Sequence, residues 1–292
     1  MKKKFTILAL IAALVMSMFV MGACGSSDDS NDDAAKDEAS GLTGTVTVAA
    51  AASLENTMVD QLIPLFNKTN PDVKIEGTYD SSGKLQEQIE GGLEAGVFMS
   101  AATKQMDALI EGQFVDEANV ADVLQNEVVL IKAKDSDTEV DSYENITKAK
   151  TIAIGDPASV PAGEYAEEIL KNLDVWSDVE AKASLGTNVT EVLNWVAEGS
   201  AEVGIVYKTD ALSMTDKVEV IENAPEGSLE TPVVYPIGML NKVADENADA
   251  TKAFFEFLQS NEALAIFEEA GFTIVDQADA QTDGNTSDSA VE

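Results

Sequence analysis

Residues 155–163, Gly-Asp-Pro-Ala-Ser-Val-Pro-Ala-Gly, stand between a β-like run at 151–154 and a helical run that begins near Glu164. Pro161 suits the first turn of a helix, where a missing N–H costs nothing, and Ala162 and Gly163 carry no side chain to block an approaching group. The amides at such a helix start are free, and they point the same way as the positive end of the helix dipole. A terminus of this kind holds anions readily. Three other places in the chain offer a comparable strand, small-residue turn and helix start, and the four are expected to converge on one oxyanion.

Strand-like and helix-like runs alternate from Gly44 to Val275, the pattern of parallel α/β sheets. Residues 45–50 read as a buried strand, followed by a helix from Ser53 with Met58, Leu62, Ile63 and Phe66 on one face. A second strand is expected at 73–79, a helix through Leu85, Ile89 and Leu93, a short strand at 97–100 and a helix through Met106, Leu109 and Ile110. Residues 127–131 read as a crossover strand, after which the alternation begins afresh. Helices carrying Ile169 and Leu170, then Val192 and Val196, precede a strand at 203–207. Residues 233–240 return the chain to the first lobe, and Phe254, Phe257 and Leu258 mark a closing helix. The expected architecture is α/β with two lobes, 44–126 plus 232–275 and 127–231, joined by two crossing segments around a cleft.

Small residues lead to Ser53 at one helix start and to Ser82 at another, while Asn188 precedes Val189 at a third. Taken singly, each of these is also an ordinary helix cap. Tyr207 closes the strand at 203–207, where its phenol either faces the cleft or is buried with a partner of its own.

Charge limits the partners. The 292 residues carry 53 Asp and Glu against 18 basic residues, all of them Lys, with no His and a net charge of -35. That balance argues against nucleic acid and against electrostatic docking on an anionic membrane. An anion must then be held locally by dipoles, not by a basic pocket. Catalysis has little to draw on: there is no His, one Cys and no phosphate-loop signature. A pair such as Ser82 with Lys84 could in principle serve a secreted Ser-dependent hydrolase as nucleophile and base, but the supporting motif is absent. Residues 135–141 imitate the start of a calcium loop but lack its Gly and its closing Glu, so an acidic solvated loop is expected there.

The chain opens with Lys2 to Lys4, an apolar stretch at 5–21 and Met-Gly-Ala-Cys ending at Cys24. This order reads as a lipoprotein signal peptide over 1–23 with lipidation at Cys24; an uncleaved membrane anchor is the other reading. Either one places the protein outside the cytoplasmic membrane. Residues 24–43 and 276–292 are acidic and poor in apolar side chains, a disordered tether and tail.

Taken together, residues 50–54, 81–85 with Gln88-Ile89-Glu90, 97–101, Gly155-Asp156-Pro157 with 160–163, 204–207 and 267–274 carry a resemblance. The sequence resembles the molybdate-binding proteins of bacterial molybdate ABC transporters, which have a type II periplasmic-binding-protein fold. The resemblance implies a substrate-binding lipoprotein that holds molybdate or tungstate as transported ligand, delivers it to a membrane permease and works as a monomer. It implies no catalysis, no cofactor and no metal beyond that of the oxyanion. Carried over by position, the ligand contacts fall on Ser53 and Ser82 through hydroxyl and amide, Ala162 and Val189 through backbone amides, and Tyr207 through its hydroxyl. Sulfate, phosphate or another small oxyanion is the alternative ligand. Gly96, Ala102 and Asp80 depart from the family pattern. Asp80 either caps its turn or faces the cleft, where it would repel a dianion and accept a proton from hydrogen phosphate.

Overall fold

The computed structural model describes residues 41–275. Cys24, the leader and the acidic tail lie outside the described residues. The chain runs through β1 (Gly44–Ala51), β2 (Val73–Asp80), β3 (Val97–Met99) and β4 (Val115–Asn126). After Glu127 come β5 (Val128–Ala133), β6 (Ile152–Gly155), β7 (Ala183–Gly186), β8 (Val203–Tyr207) and β9 (Val218–Asn223). Then β10 (Val233–Leu240) and β11 (Thr273–Ile274) follow. They form two sheets, a six-stranded one in the order β11-β4-β10-β3-β1-β2 and a five-stranded one in the order β7-β6-β8-β5-β9. The chain passes between the sheets twice, at Glu127 and between Asn223 and Val233.

Both sheets are mixed, where the alternation predicted parallel ones. β1 pairs in parallel with β2 and β3, but β10 lies antiparallel to β3 and β4. In the second sheet β6 is parallel to β7 and β8, and β5 is antiparallel to β8 and β9. The antiparallel strands are the ones next to the crossings, since a chain that leaves one sheet and enters the other arrives from the opposite end. β4 has no counterpart in the sequence reading. Its Asp116, Glu117 and Asn119 give it little intrinsic strand preference, and it is held by pairing with β10 and β11.

Alternation along β1 decides the layers. Val46, Val48 and Ala50 pack on one side with Leu54, Met58, Leu62, Phe66 and Phe254, whereas Ala49 joins Leu85, Ile89, Phe98, Met106 and Leu109 on the other. The helical run after β1 is irregular, starting as a 3-10 turn at Ala52–Leu54 and widening to a π-helical stretch at Met58–Leu62 before Ile63–Thr69. Met58, Leu62 and Phe66 are buried along it as their spacing predicted, with Ile63 half-buried.

In the second lobe the helix Pro161–Asn172 packs so closely on β6 that a Cβ on Gly163 would stand 2.2 Å from the Gly155 carbonyl oxygen. Only glycine permits that approach. Among the described residues no helix is long and apolar enough to cross a membrane, and no group of acidic or sulfur side chains is placed to hold a metal ion.

Candidate oxyanion site at the seam

The carboxyl ends of β1, β2 and β3 in one lobe face those of β6, β7 and β8 in the other, and the helix starts that follow them meet at a seam. In open α/β sheets this is where ligands sit. Contacts across the seam are direct. Gly83 N–H donates to the Ser159 carbonyl at 3.0 Å, Asn188 Nδ2 donates to Asp80 Oδ1 at 3.3 Å, and Lys104 and Gln105 reach Glu164 Oε1 at 2.8 and 3.3 Å.

Each predicted residue can be placed against these contacts. Pro161 is the first residue of its helix and has no N–H, while Gly163 and Glu164 both donate to the Val160 carbonyl, at 2.8 and 3.0 Å. Ala162 is therefore left with the unspent amide of that first turn, among the described residues. It is fully buried. Val189 likewise opens the helix Val189–Ala197; its cap Asn188 accepts from Glu191 N at 2.9 Å and leaves the Val189 amide free. Asn188 thus is the helix cap that its position suggested, and it also spans the seam.

Ser82 is not the cap of its helix. Ser81 holds that position, and Ser82, fully buried, accepts at Oγ from Ala101 N at 3.0 Å. Its own O–H remains a donor. Ser53 lies in the 3-10 turn after β1 with Oγ 3.0 Å from the Tyr235 hydroxyl. Tyr207 ends β8, is 1% exposed, and its hydroxyl has no hydrogen-bond partner among the described residues. Burial first, then the neighbouring Tyr235 and Tyr165, push that phenol well above its usual range, so it stays protonated and can only donate to an anion.

The structure thus brings Ser53 and Tyr207 together through Tyr235, whose ring stands edge-on to that of Tyr207 at 5.7 Å. It brings Ser82 beside the loop that leads into Ala162, and Val189 beside Asp80. A cavity of about 300 Å³ between the two lobes includes Ser53 in its wall but none of the other four, and Glu55, Asp60 and Glu269 also line it. A larger hollow of about 530 Å³ lies at the far end of β1, against Thr45 and Thr47.

Asp80 is committed to its surroundings. Its Oδ1 accepts from Ser81 N at 2.8 Å, Lys84 Nζ at 3.3 Å and Asn188 Nδ2 at 3.3 Å, so it serves the turn and the seam. Lys84 is thereby paired with Asp80, and among the described residues no hydrogen bond joins it to Ser82.

Sequence reasoning passed over Asn126, Thr209, Asp210 and Tyr235, all buried at the seam. Asn126 stands between Gln125 and Glu127 in a polar break between Val123-Leu124 and the apolar run that starts at Val128, so nothing local singles it out. Asp210 accepts from Tyr207 N at 3.1 Å, and burial, only partly offset by that bond, raises its carboxyl to about 7. Because the folded chain keeps this proton after the unfolded chain has released it, stability falls as pH rises from about 4 to about 7 and then levels. Asp210→Asn keeps an acceptor for Tyr207 and removes the slope. Its melting temperature should exceed that of the parent at pH 8 and match it at pH 4, with an upper bound of roughly 4 kcal/mol in the difference. Parallel curves for the two proteins would contradict this.

Comparison with known proteins agrees with the fold. Residues 46–273 match the bacterial extracellular solute-binding protein family. The chain belongs to that family. Among its relatives, the Bacillus subtilis protein YvgL, described as an ABC transporter substrate-binding lipoprotein, is 36% identical over 94% of this chain and 99% of its own length. The molybdate-binding protein ModA of Escherichia coli is 36% identical over 79% of this chain and 90% of its own. A solved structure from Clostridium difficile, described as the substrate binding domain of a molybdenum ABC transporter, is 38% identical with a TM-score of 0.60, covering 80% of this chain and 99% of that one. The resemblance read from the sequence therefore holds across the described residues.

Proposed function

We propose that this protein is the extracytoplasmic substrate-binding component of a molybdate or tungstate ABC importer, tethered by a lipid on Cys24 and delivering its ligand to a membrane permease. The observation that carries the reading is the Tyr207 hydroxyl, buried and unpartnered in a seam where Ala162, Val189, Ser82 and Ser53 also hold unspent donors. A buried polar group without a partner is rare in folded proteins and calls for one. The identities to ModA and YvgL support the choice of ligand and the lipid anchor.

Neutral donors suffice on energetic grounds. Hydrogen bonds to a charged partner contribute about 1.5–3 kcal/mol each, so five or six give on the order of 10 kcal/mol before association costs. Helix dipoles and the exclusion of water by the closed lobes add to this. No lysine is required at the anion. Selection between molybdate and sulfate then rests on cavity size.

Thermal unfolding with molybdate, tungstate, sulfate and phosphate tests the reading side by side. Molybdate and tungstate at about 1,000 times their dissociation constants should each add roughly 4 kcal/mol of stability. Stabilisation by sulfate or phosphate with none by molybdate would reassign the ligand, and turnover of an ester or amide substrate would move the protein to the hydrolases.

A further inference from the structure

Asn126 ends β4, one residue before the first crossing between the lobes, and is buried. Its Oδ1 accepts from Glu127 N at 2.9 Å. A backbone N–H can only donate, so this contact fixes which end of the amide is oxygen. The two hydrogens on Nδ2 are then directed to Thr209 Oγ1 at 2.9 Å, in the second lobe, and to the Tyr235 hydroxyl at 3.2 Å, in the first. Tyr235 is fully buried. With Asn126 donating to its oxygen, its single proton has one acceptor within reach among the described residues, Ser53 Oγ at 3.0 Å. The direction of that bond follows: Tyr235 donates and Ser53 accepts. Having received this proton, Ser53 turns its own hydrogen elsewhere.

We propose that Tyr235, aimed by Asn126, is a positioning residue that fixes the Ser53 hydroxyl as a donor toward the bound anion. The inference rests on the reading of Ser53 as a ligand contact and adds what holds its proton in place. Without Tyr235 the hydroxyl is a free rotor that offers the anion a lone pair as readily as a proton. With it, the rotor is set before the ligand arrives, so less ordering is left to the binding step. The same amide also bonds Thr209 of the second lobe, which helps hold its plane where Tyr235 needs it.

The test is a double-mutant cycle read by calorimetric titration of molybdate into the full chain and into the Ser53→Ala, Tyr235→Phe and doubly substituted proteins. Phenylalanine keeps the ring that stands against Tyr207 and Phe272 and removes only the hydroxyl. Ser53→Ala should weaken binding by about 10- to 100-fold and Tyr235→Phe by about 2- to 12-fold. In the Ser53→Ala background, Tyr235→Phe should cost no more than about twofold further, because the hydroxyl it serves is gone. Asn126→Ala, carried through the same cycle, should behave as Tyr235→Phe does and covers the case in which the phenylalanine variant does not fold. A residue that only supports the packing would show the same loss in both backgrounds, and such additivity overturns the relay. So does unchanged affinity in Tyr235→Phe. Unchanged affinity in Ser53→Ala instead removes Ser53 from the site, and the reading on which the relay rests falls with it.

Discussion

Ser82→Asp should leave no measurable molybdate binding. Ser82 is fully buried at the start of its helix, and its oxygen already accepts from Ala101 N at 3.0 Å. An aspartate there can keep that acceptor role, so the fold has a way to tolerate it. The ligand does not. The substitution exchanges an O–H donor for a fixed negative charge beside a dianion. At an effective dielectric of about 20, two unit charges 4 Å apart repel by about 4 kcal/mol, and the second ligand charge roughly doubles that. Ser82→Ala is the comparison, since it removes one donor without adding charge and should cost about 10- to 100-fold. Calorimetric titration separates the two, and an aspartate variant that binds as tightly as the parent would remove Ser82 from the site.

Gly83→Ala should hold the lobes apart. Its Cβ would stand 2.5 Å from the Ser159 carbonyl oxygen and 2.9 Å from the Ser159 Cα, both backbone atoms of the opposite lobe. Neither can turn away as a flexible side chain would. The same change disturbs the 3.0 Å bond from Gly83 N to Ser159 O. The clash sets the helix start of one lobe against the backbone of the other, so the cost falls on closure. Overpacking of this kind costs about 1–3 kcal/mol, which lowers the closed population and the affinity by roughly 5- to 150-fold. Small-angle scattering with saturating molybdate should show a larger radius of gyration than the parent under the same conditions. Identical scattering and affinity would mean that the seam does not have to close at Gly83.

Much of this was written locally in the chain. The apolar spacing of Leu85 with Ile89 and of Val192 with Val196 marks helices whose buried faces are the ones observed. Pro161 followed by Ala162 and Gly163 announces a helix start with a bare amide, because the absent N–H and the small side chains are properties of those residues alone. What was not legible depends on partners distant in sequence. β4 is a strand because β10 and β11 flank it, and its acidic, asparagine-containing run gives no sign of that. The antiparallel direction of β5 and β10 follows from the path of the chain between sheets, which residue types do not encode. Asn126 meets Thr209 across 83 residues and Tyr235 across 109, so the relay behind Ser53 exists only once segments distant in sequence are folded together. The resemblance to molybdate-binding proteins supplied the proposed ligand contacts as positions; the packing supplies what surrounds those residues.

Anomalous scattering from molybdenum in crystals grown with molybdate tests most directly whether uncharged donors hold the anion. Binding as proposed puts one peak at the seam, its oxygens within hydrogen-bond distance of Ser53, Ser82, Ala162, Val189 and Tyr207 with no lysine ammonium among the contacts. A single peak bound by lysine side chains, or one seated away from those five residues, would contradict it.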